Sequence, residues 1–271
     1  MLQTNKLRAS LQAGEAVFGL MNSVAAPLLV EMLGYAGYDF VILDMEHVNL
    51  NPETLENAVR AAESAGLTPL VRVPSAAEDV ILRALDCGAQ GVVVPHVRSR
   101  AEAEQIVRAG RYHPMGQRGI SGGRTTGFGT LDLPSYFKRA NNEIMLVVMI
   151  EDRQGVEAID EIVSVAGIDM VLEGAVDLSQ SYGVPGSHQD PLVQAAINKV
   201  AESCLRHGVP FCAIPREAQQ LNQWIEQGVN AFLLGDDRAV AFRALKSHLS
   251  SFKNLLSAEA VDKQTPDRAS A

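Results

Sequence analysis

The chain has 271 residues, 47% of them hydrophobic, and a formal net charge of −9 at pH 7. This length suffices for one large core, and the negative charge argues against binding of nucleic acid or other polyanions. Its three cysteines form no C-x-x-C pair, which is typical of reduced thiols in a cytoplasmic protein. We expect neither a signal peptide nor a membrane partner, because no apolar run reaches the roughly 18 residues of a membrane span.

Short apolar runs alternate with helical patterns along most of the chain. A first helix is predicted at residues 6–12, before the first apolar run. The predicted strands are residues 16–21, 39–44, 69–73, 91–95, 145–150, 169–173, 209–214 and 231–235. The helices that follow them are predicted at residues 26–33, 51–65, 77–87, from 99 onward, 155–165, 191–207, 217–227 and 238–256. Residues 113–142 are rich in glycine and lack clear periodicity, which is typical of functional loops.

The strand patterns are continuously apolar, which indicates strands buried on both faces of a parallel sheet. Eight strand–helix units in about 250 residues predict an α/β fold, a single (β/α)8 TIM barrel over residues 1–256 with an extra N-terminal helix. A doubly wound open sheet is the alternative, which the absence of G-x-G-x-x-G after the first strand disfavours. Residues 257–271 are small and polar and are predicted to form a disordered tail.

Several polar residues follow the predicted strands, and in such a barrel the strand ends share one mouth. Glu151 and Asp177 form an oxygen-rich pair that suits Mg²⁺ or Mn²⁺. The structural alternative is that Glu151 forms a salt bridge at the strand end and that Asp177 caps a helix. Asp44 and His47 are the candidate acid–base pair. Their alternative is a loop histidine that lies near a carboxylate by chance.

Two arginines are candidates for substrate binding. Arg72 stands where an apolar residue is expected, and a buried guanidinium must meet an anion. That anion could be a substrate carboxylate, an internal partner such as Glu151 or Asp44, or both. Arg124 lies in the glycine-rich segment 116–129 and could close over an acidic substrate, although a surface loop is the alternative.

Six motifs, taken together and in order, resemble the HpcH/HpaI aldolase family of metal-dependent class II aldolases on a (β/α)8 barrel. Each motif is weak alone, and the resemblance covers about residues 7–236. The motifs are DFVILDMEH (39–47), PLVRVP (69–74), GAQGVVVP (88–95), YHPMGQRG (112–119), IE (150–151) and GAVDLS (174–179).

The resemblance implies a set of roles. Glu151 and Asp177 would bind the divalent metal, and Arg72 would hold the oxo acid and stabilise its enolate. His47, oriented by Asp44, would move the proton at the hydroxyl that is made or broken. The implied reaction is reversible aldol cleavage of a 4-hydroxy-2-oxo acid to pyruvate and an aldehyde.

The resemblance also implies substrate contacts and an assembly. Backbone N–H groups of Val176 and Asp177 would bind the substrate carboxylate at a helix N-terminus. The family is typically hexameric with its last helix exchanged between neighbours, which here would be the helix 238–256. We therefore expect a homo-oligomer.

Three positions depart from the family pattern. Met149 replaces a usual glutamine, Ala175 replaces a proline, and Glu173 stands where an apolar residue is usual. Such changes alter substrate chemistry more than fold. They fit a family branch that makes citrate from oxaloacetate and acetyl-CoA for siderophores. That condensing enzyme and a non-catalytic metabolite-binding barrel are the alternatives to an aldolase, and the intact candidate residues argue against the second.

Overall fold

The computed structural model describes residues 2–262, with side chains to residue 255. Eight parallel strands close into a barrel in sequence order, with β8 paired to β1. The predicted (β/α)8 barrel is therefore confirmed and the open sheet is excluded. The strands are β1 (Val17–Asn22), β2 (Phe40–Asp44), β3 (Thr68–Arg72), β4 (Gly91–Val94), β5 (Met145–Ile150), β6 (Met170–Glu173), β7 (Phe211–Ala213) and β8 (Ala231–Asp236).

Helices surround this barrel and also close one of its ends. They are α1 (Lys6–Gln12), α2 (Pro27–Tyr35), α3 (Pro52–Ser64), α4 (Glu78–Asp86), α5 (Arg100–Gly110), α6 (Leu133–Glu143), α7 (Arg153–Glu157), α8 (Ile159–Val163), α9 (Ala175–Ser181), α10 (Pro191–His207), α11 (Ala218–Glu226) and α12 (Asp237–Asp262). A 3₁₀ turn spans Arg124–Thr126. Among the described residues, no helix is both long and apolar enough to cross a bilayer.

The core has two layers because successive side chains of a strand point to opposite faces. One apolar cluster fills the barrel interior and the other lies between the sheet and its helices. Leu7 of α1 is 1% exposed and belongs to the interior cluster. Its backbone N–H donates to Thr68 Oγ1 at the start of β3, 3.2 Å away. The first helix thus plugs the amino-terminal end of the barrel, and the carboxyl end stays open.

The structure corrects the sequence prediction in three regions. Helix α6 lies within the segment predicted to lack periodicity, although Asp132 caps it by accepting from Ser135 N. The single helix predicted over 155–165 is two short helices, α7 and α8. The last helix was expected to end at residue 256, but α12 continues to residue 262. The rest of the predicted tail, 263–271, lies outside the described residues.

Candidate active site

A cavity of about 990 Å³ opens at the carboxyl ends of the strands. Its lining includes five of the predicted residues, which come from β2, β3 and α9 and the loops beside them: Asp44, His47, Arg72, Val176 and Asp177. The barrel therefore brings residues from distant parts of the chain to one mouth, as the fold prediction required.

Arg72 and Asp44 form a buried two-pronged ion pair. Arg72 Nε donates to Asp44 Oδ1 at 2.9 Å, and its Nη2 donates to Oδ2 at 2.7 Å. Burial by itself would raise the pKa of Asp44, but the bonds and charge of Arg72 hold that pKa below its ordinary value. The remaining nitrogen, Nη1, lies 3.3 Å from Glu46 Oε2. The internal partner considered for Arg72 is thus Asp44, and the pair fixes the guanidinium at the mouth.

The His47 ring is not oriented by Asp44, contrary to the prediction. Both Asp44 oxygens are taken by Arg72, and the contact of Asp44 with His47 is to the backbone N–H, at 3.4 Å. The His47 side chain is 61% exposed, and its Nε2 lies 3.8 Å from Glu46 Oε2. The histidine therefore lines the mouth with an exposed ring, and Glu46 is the carboxylate beside it.

A cluster of carboxylates lies around Glu151, just beyond β5. Glu151 is 1% exposed. Burial raises its pKa to about 7, and the charges of Glu46 and Asp177 add to this against the opposing charge of His96. Glu46 Oε2 is buried, and its 3.3 Å contact with Arg72 Nη1 is an ion pair without hydrogen-bond geometry. Ligand atoms of Glu46, His96 and Glu151 lie within 4.8 Å of one another. This acceptor-rich cluster suits a divalent cation.

Asp177 lies in the first turn of α9 and is not the helix cap considered from the sequence. Gly174 occupies the cap position, without a side-chain bond to the helix. A Cβ on Gly174 would lie 2.3 Å from Glu151 Cβ and 2.8 Å from its Oε2. Only glycine therefore lets the start of α9 approach Glu151, which brings Asp177 near enough to influence the Glu151 pKa.

His96, a weaker acid–base candidate from the sequence that could equally be structural, supports this cluster. Its backbone N–H donates to Glu151 Oε1 at 2.9 Å, and its ring Nδ1 lies 3.0 Å from Asp152 Oδ2. His96 adopts a φ of +55°, a left-handed conformation that is uncommon outside glycine. A histidine directly after a strand-ending proline was the one signal in the sequence.

The unusual acidic residue Glu173 is paired with an arginine that the sequence analysis missed. Glu173 is 3% exposed, and its Oε1 accepts from Arg216 Nη1 at 3.0 Å. Its Oε2 accepts from Ile214 N at 2.9 Å. Burial raises the pKa of Glu173, and the Arg216 charge opposes that rise. The partners are 43 residues apart in the chain and meet because β6 and β7 are neighbours in the sheet.

Arg124 does not reach the mouth of its own barrel, and its predicted substrate role is wrong for this chain in isolation. It forms a salt bridge with Glu63 near the end of α3, and its Nη1 lies 3.4 Å from the Cys87 carbonyl before β4. Its loop connects the end of α5 to α6 and the start of β5. These points all lie at the amino-terminal end of the barrel, opposite the cavity.

The HpcH/HpaI aldolase/citrate lyase family profile matches residues 18–244. The chain belongs to this family. Similar structures include the citrate synthase SbnG, with a TM-score of 0.87 and 42% identity over 93% of this chain and 98% of that one. An HpcH/HpaI aldolase from Desulfitobacterium hafniense DCB-2 has a TM-score of 0.86 and 32% identity over 91% and 96%.

A similar named protein is the 5-keto-4-deoxy-D-glucarate aldolase of Enterobacter sp. (strain 638). It is 34% identical over 250 residues, which cover 92% of this chain and 97% of the relative. Relatives in the family thus include aldolases and a citrate synthase, all of which are enzymes. This chain is an enzyme of the same family, and both the aldol cleavage and the citrate synthase reaction are consistent with its relatives.

Proposed function

We propose that this enzyme condenses oxaloacetate with acetyl-CoA to citrate. The observation that carries the proposal is the 42% identity to SbnG over 93% of the chain, against 34% to the named aldolase. The Glu173–Arg216 pair supports it, because it adds a guanidinium to the mouth. The siderophore pathway considered from the resemblance is part of this proposal.

In this reaction His47 would take a proton from the acetyl methyl group, and the resulting carbon would attack the carbonyl carbon of oxaloacetate. Arg72, fixed by Asp44, would stabilise the negative charge that develops on the carbonyl oxygen. His47 would donate the proton that turns this oxygen into the citrate hydroxyl. Water then hydrolyses the thioester and releases CoA. The backbone N–H groups of Val176 and Asp177 would hold a substrate carboxylate.

The residues around Glu151 fit a divalent cation such as Mg²⁺ or Mn²⁺. Burial raises the pKa of Glu151, and the negative charges of nearby Glu46 and Asp177 add to that rise. Glu151 and Asp177 would hold the ion, with Glu46 beside them. A bound ion would polarise the carbonyl group of the oxo acid.

The test follows CoA release from acetyl-CoA with and without oxaloacetate, with Mg²⁺ or with a chelator. We expect release that depends on oxaloacetate, with citrate as the product. Release without oxaloacetate, or citrate production equal to that of an Arg72→Ala control, would contradict the proposal.

The pyruvate aldolase is the second candidate, because named relatives at 34% identity are aldolases of a sugar acid. The shared oxo-acid site serves both reactions. Cleavage of a 4-hydroxy-2-oxo acid to pyruvate without acetyl-CoA consumption would favour it. An absence of turnover with either substrate pair would favour the non-catalytic barrel.

We also propose that the enzyme is an oligomer, a hexamer with α12 exchanged between neighbours. The support is an apolar stripe on one side of α12, formed by Phe242, Leu245, Leu249 and Phe252, each more than half exposed. A contiguous exposed apolar stripe on a long helix marks a protein contact. Size-exclusion chromatography with light scattering tests the mass, and a monomer would contradict the proposal.

A further inference from the structure

Four arginines line the cavity: Arg72, Arg216, Arg238 and Arg243. Two of them, Arg72 and Arg216, are held by buried carboxylates through different edges of the guanidinium. The Nε/Nη2 edge of an arginine can bind both oxygens of a carboxylate. In Arg72 this edge is occupied by Asp44. In Arg216 only Nη1 forms side-chain hydrogen bonds, donating to Glu173 Oε1 and to the Ile214 carbonyl, both at 3.0 Å. The Nε/Nη2 edge of Arg216 forms no hydrogen bond with a described residue. Its bidentate edge is therefore open.

Arg216 is also held in place from several sides. Its backbone N–H donates to Gln220 Oε1 at 2.8 Å. Glu173 accepts from Ile214 N at 2.9 Å, and this bond fixes the carboxylate that holds the guanidinium. The side chain is 24% exposed, and the residue lines the same cavity as Arg72 and Asp177. A positioned guanidinium with a free fork binds a carboxylate with little ordering cost.

Asp44 takes the Nε/Nη2 edge of Arg72. Glu173 instead takes a single nitrogen and leaves the Nε/Nη2 fork without a hydrogen-bond partner among the described residues, in a residue that lines the cavity. We propose that this fork of Arg216 binds a second carboxylate of the substrate, away from the reacting carbonyl. Arg216 then selects dicarboxylic oxo acids over monocarboxylic ones, and Glu173 positions it. The inference rests on the proposed function for the reaction, but it concerns the substrate class of this site.

The test uses matched ligand pairs that differ by one carboxylate. Oxaloacetate and pyruvate serve as substrates, and malate and lactate serve as stable probes for calorimetry. We expect the wild type to prefer the dicarboxylate in both pairs. Arg216→Gln should weaken dicarboxylate binding and raise its KM about 10- to 100-fold, the loss of a charge-assisted bidentate contact. Lactate binding should change less than about twofold, since its single carboxylate does not use Arg216.

Control variants separate this role from general effects of charge. Arg206→Gln removes an exposed arginine paired with Asp160 on the outer face, and we expect wild-type selectivity. Arg238→Gln removes a rim arginine of the same cavity and should leave the malate preference over lactate intact. Arg216→Lys keeps the charge but lacks the fork, so its malate affinity should fall between the wild type and Arg216→Gln. This variant also serves if Arg216→Gln does not fold.

A wild type that binds lactate as tightly as malate would overturn the inference, and so would equal losses for both ligands in Arg216→Gln. A shift of selectivity in Arg238→Gln in place of Arg216→Gln would overturn it too. The proposed function fails separately, if oxaloacetate-dependent CoA release is absent while malate selectivity and its loss in Arg216→Gln persist.

Discussion

Arg72 donates its Nε and Nη2 to the two oxygens of Asp44, at 2.9 and 2.7 Å, in a part of the mouth where Asp44 is 1% exposed. The pair explains why a charged residue is tolerated within β3, since each buried charge compensates the other. It also means that Asp44 acts through Arg72 and not through the His47 ring.

Arg72→Ala should lower turnover about 100-fold or more, because a positioned donor at the developing charge is lost. It should also lower the free energy of unfolding by about 3–5 kcal/mol, because Asp44 stays buried without its partner. Initial rates and urea denaturation measure the two effects. The double variant with Asp44→Asn should regain part of the stability but none of the activity. A double variant no more stable than Arg72→Ala, or an active Arg72→Ala variant, would contradict this interpretation.

Gly174→Ala should displace Glu151 while the barrel stays folded. The new Cβ would lie 2.3 Å from Glu151 Cβ, and overpacking of this kind costs about 1–3 kcal/mol. We expect turnover to fall at least about tenfold, since small displacements of catalytic groups are costly. Titration calorimetry with Mg²⁺ should show weakened binding. Gly122→Ala is the matched control, because its Cβ would meet nothing within 4 Å. Wild-type rates in Gly174→Ala would show that Glu151 tolerates the shift.

Glu151→Gln should stabilise the metal-free protein at alkaline pH. The pKa of Glu151 is raised from its ordinary 4.5 to about 7. Between these values the folded state holds a proton that the unfolded state has released, so stability falls as pH rises through this window. Above pH 7 the variant should be more stable by about 2–4 kcal/mol, and near pH 4.5 the difference should vanish.

Urea denaturation with a chelator at both pH values checks this expectation. Glu157→Gln provides a control, because Glu157 lies on the surface in an i,i+4 pair with Arg153 and should show no such pH-dependent gain. A variant less stable than the wild type at alkaline pH would mean that the Glu151 carboxylate is well compensated in the folded protein.

Leu249→Asp should break the oligomer, because it places a charge in the apolar stripe of α12. We expect a smaller mass by light scattering and a folded barrel by circular dichroism. Ser247→Asp puts the same charge on the opposite side of the helix and should leave the mass unchanged. Equal masses for the two variants would show that the stripe does not form the subunit contact.

The candidate site could be predicted in part. Asp44, His47, Arg72 and Asp177 follow or end apolar strands, and the barrel rule places such residues at one mouth. The direction of the Asp44 contacts could not be predicted, because Arg72 and His47 compete for the same carboxylate and only side-chain geometry decides between them. Arg124 was misplaced because composition does not show at which end of a barrel a loop lies.

The sequence by itself determined the eight strands, most of the helices and the barrel, because apolar runs and helix caps act within a few residues of the chain. The tertiary structure decided which charges meet. Glu173 finds Arg216 43 residues away, and Glu151 lies against Gly174 from the next strand–helix unit. Pairing of β5 with β6 and of β6 with β7 creates these contacts, because it sets side by side strand ends that lie far apart in the chain.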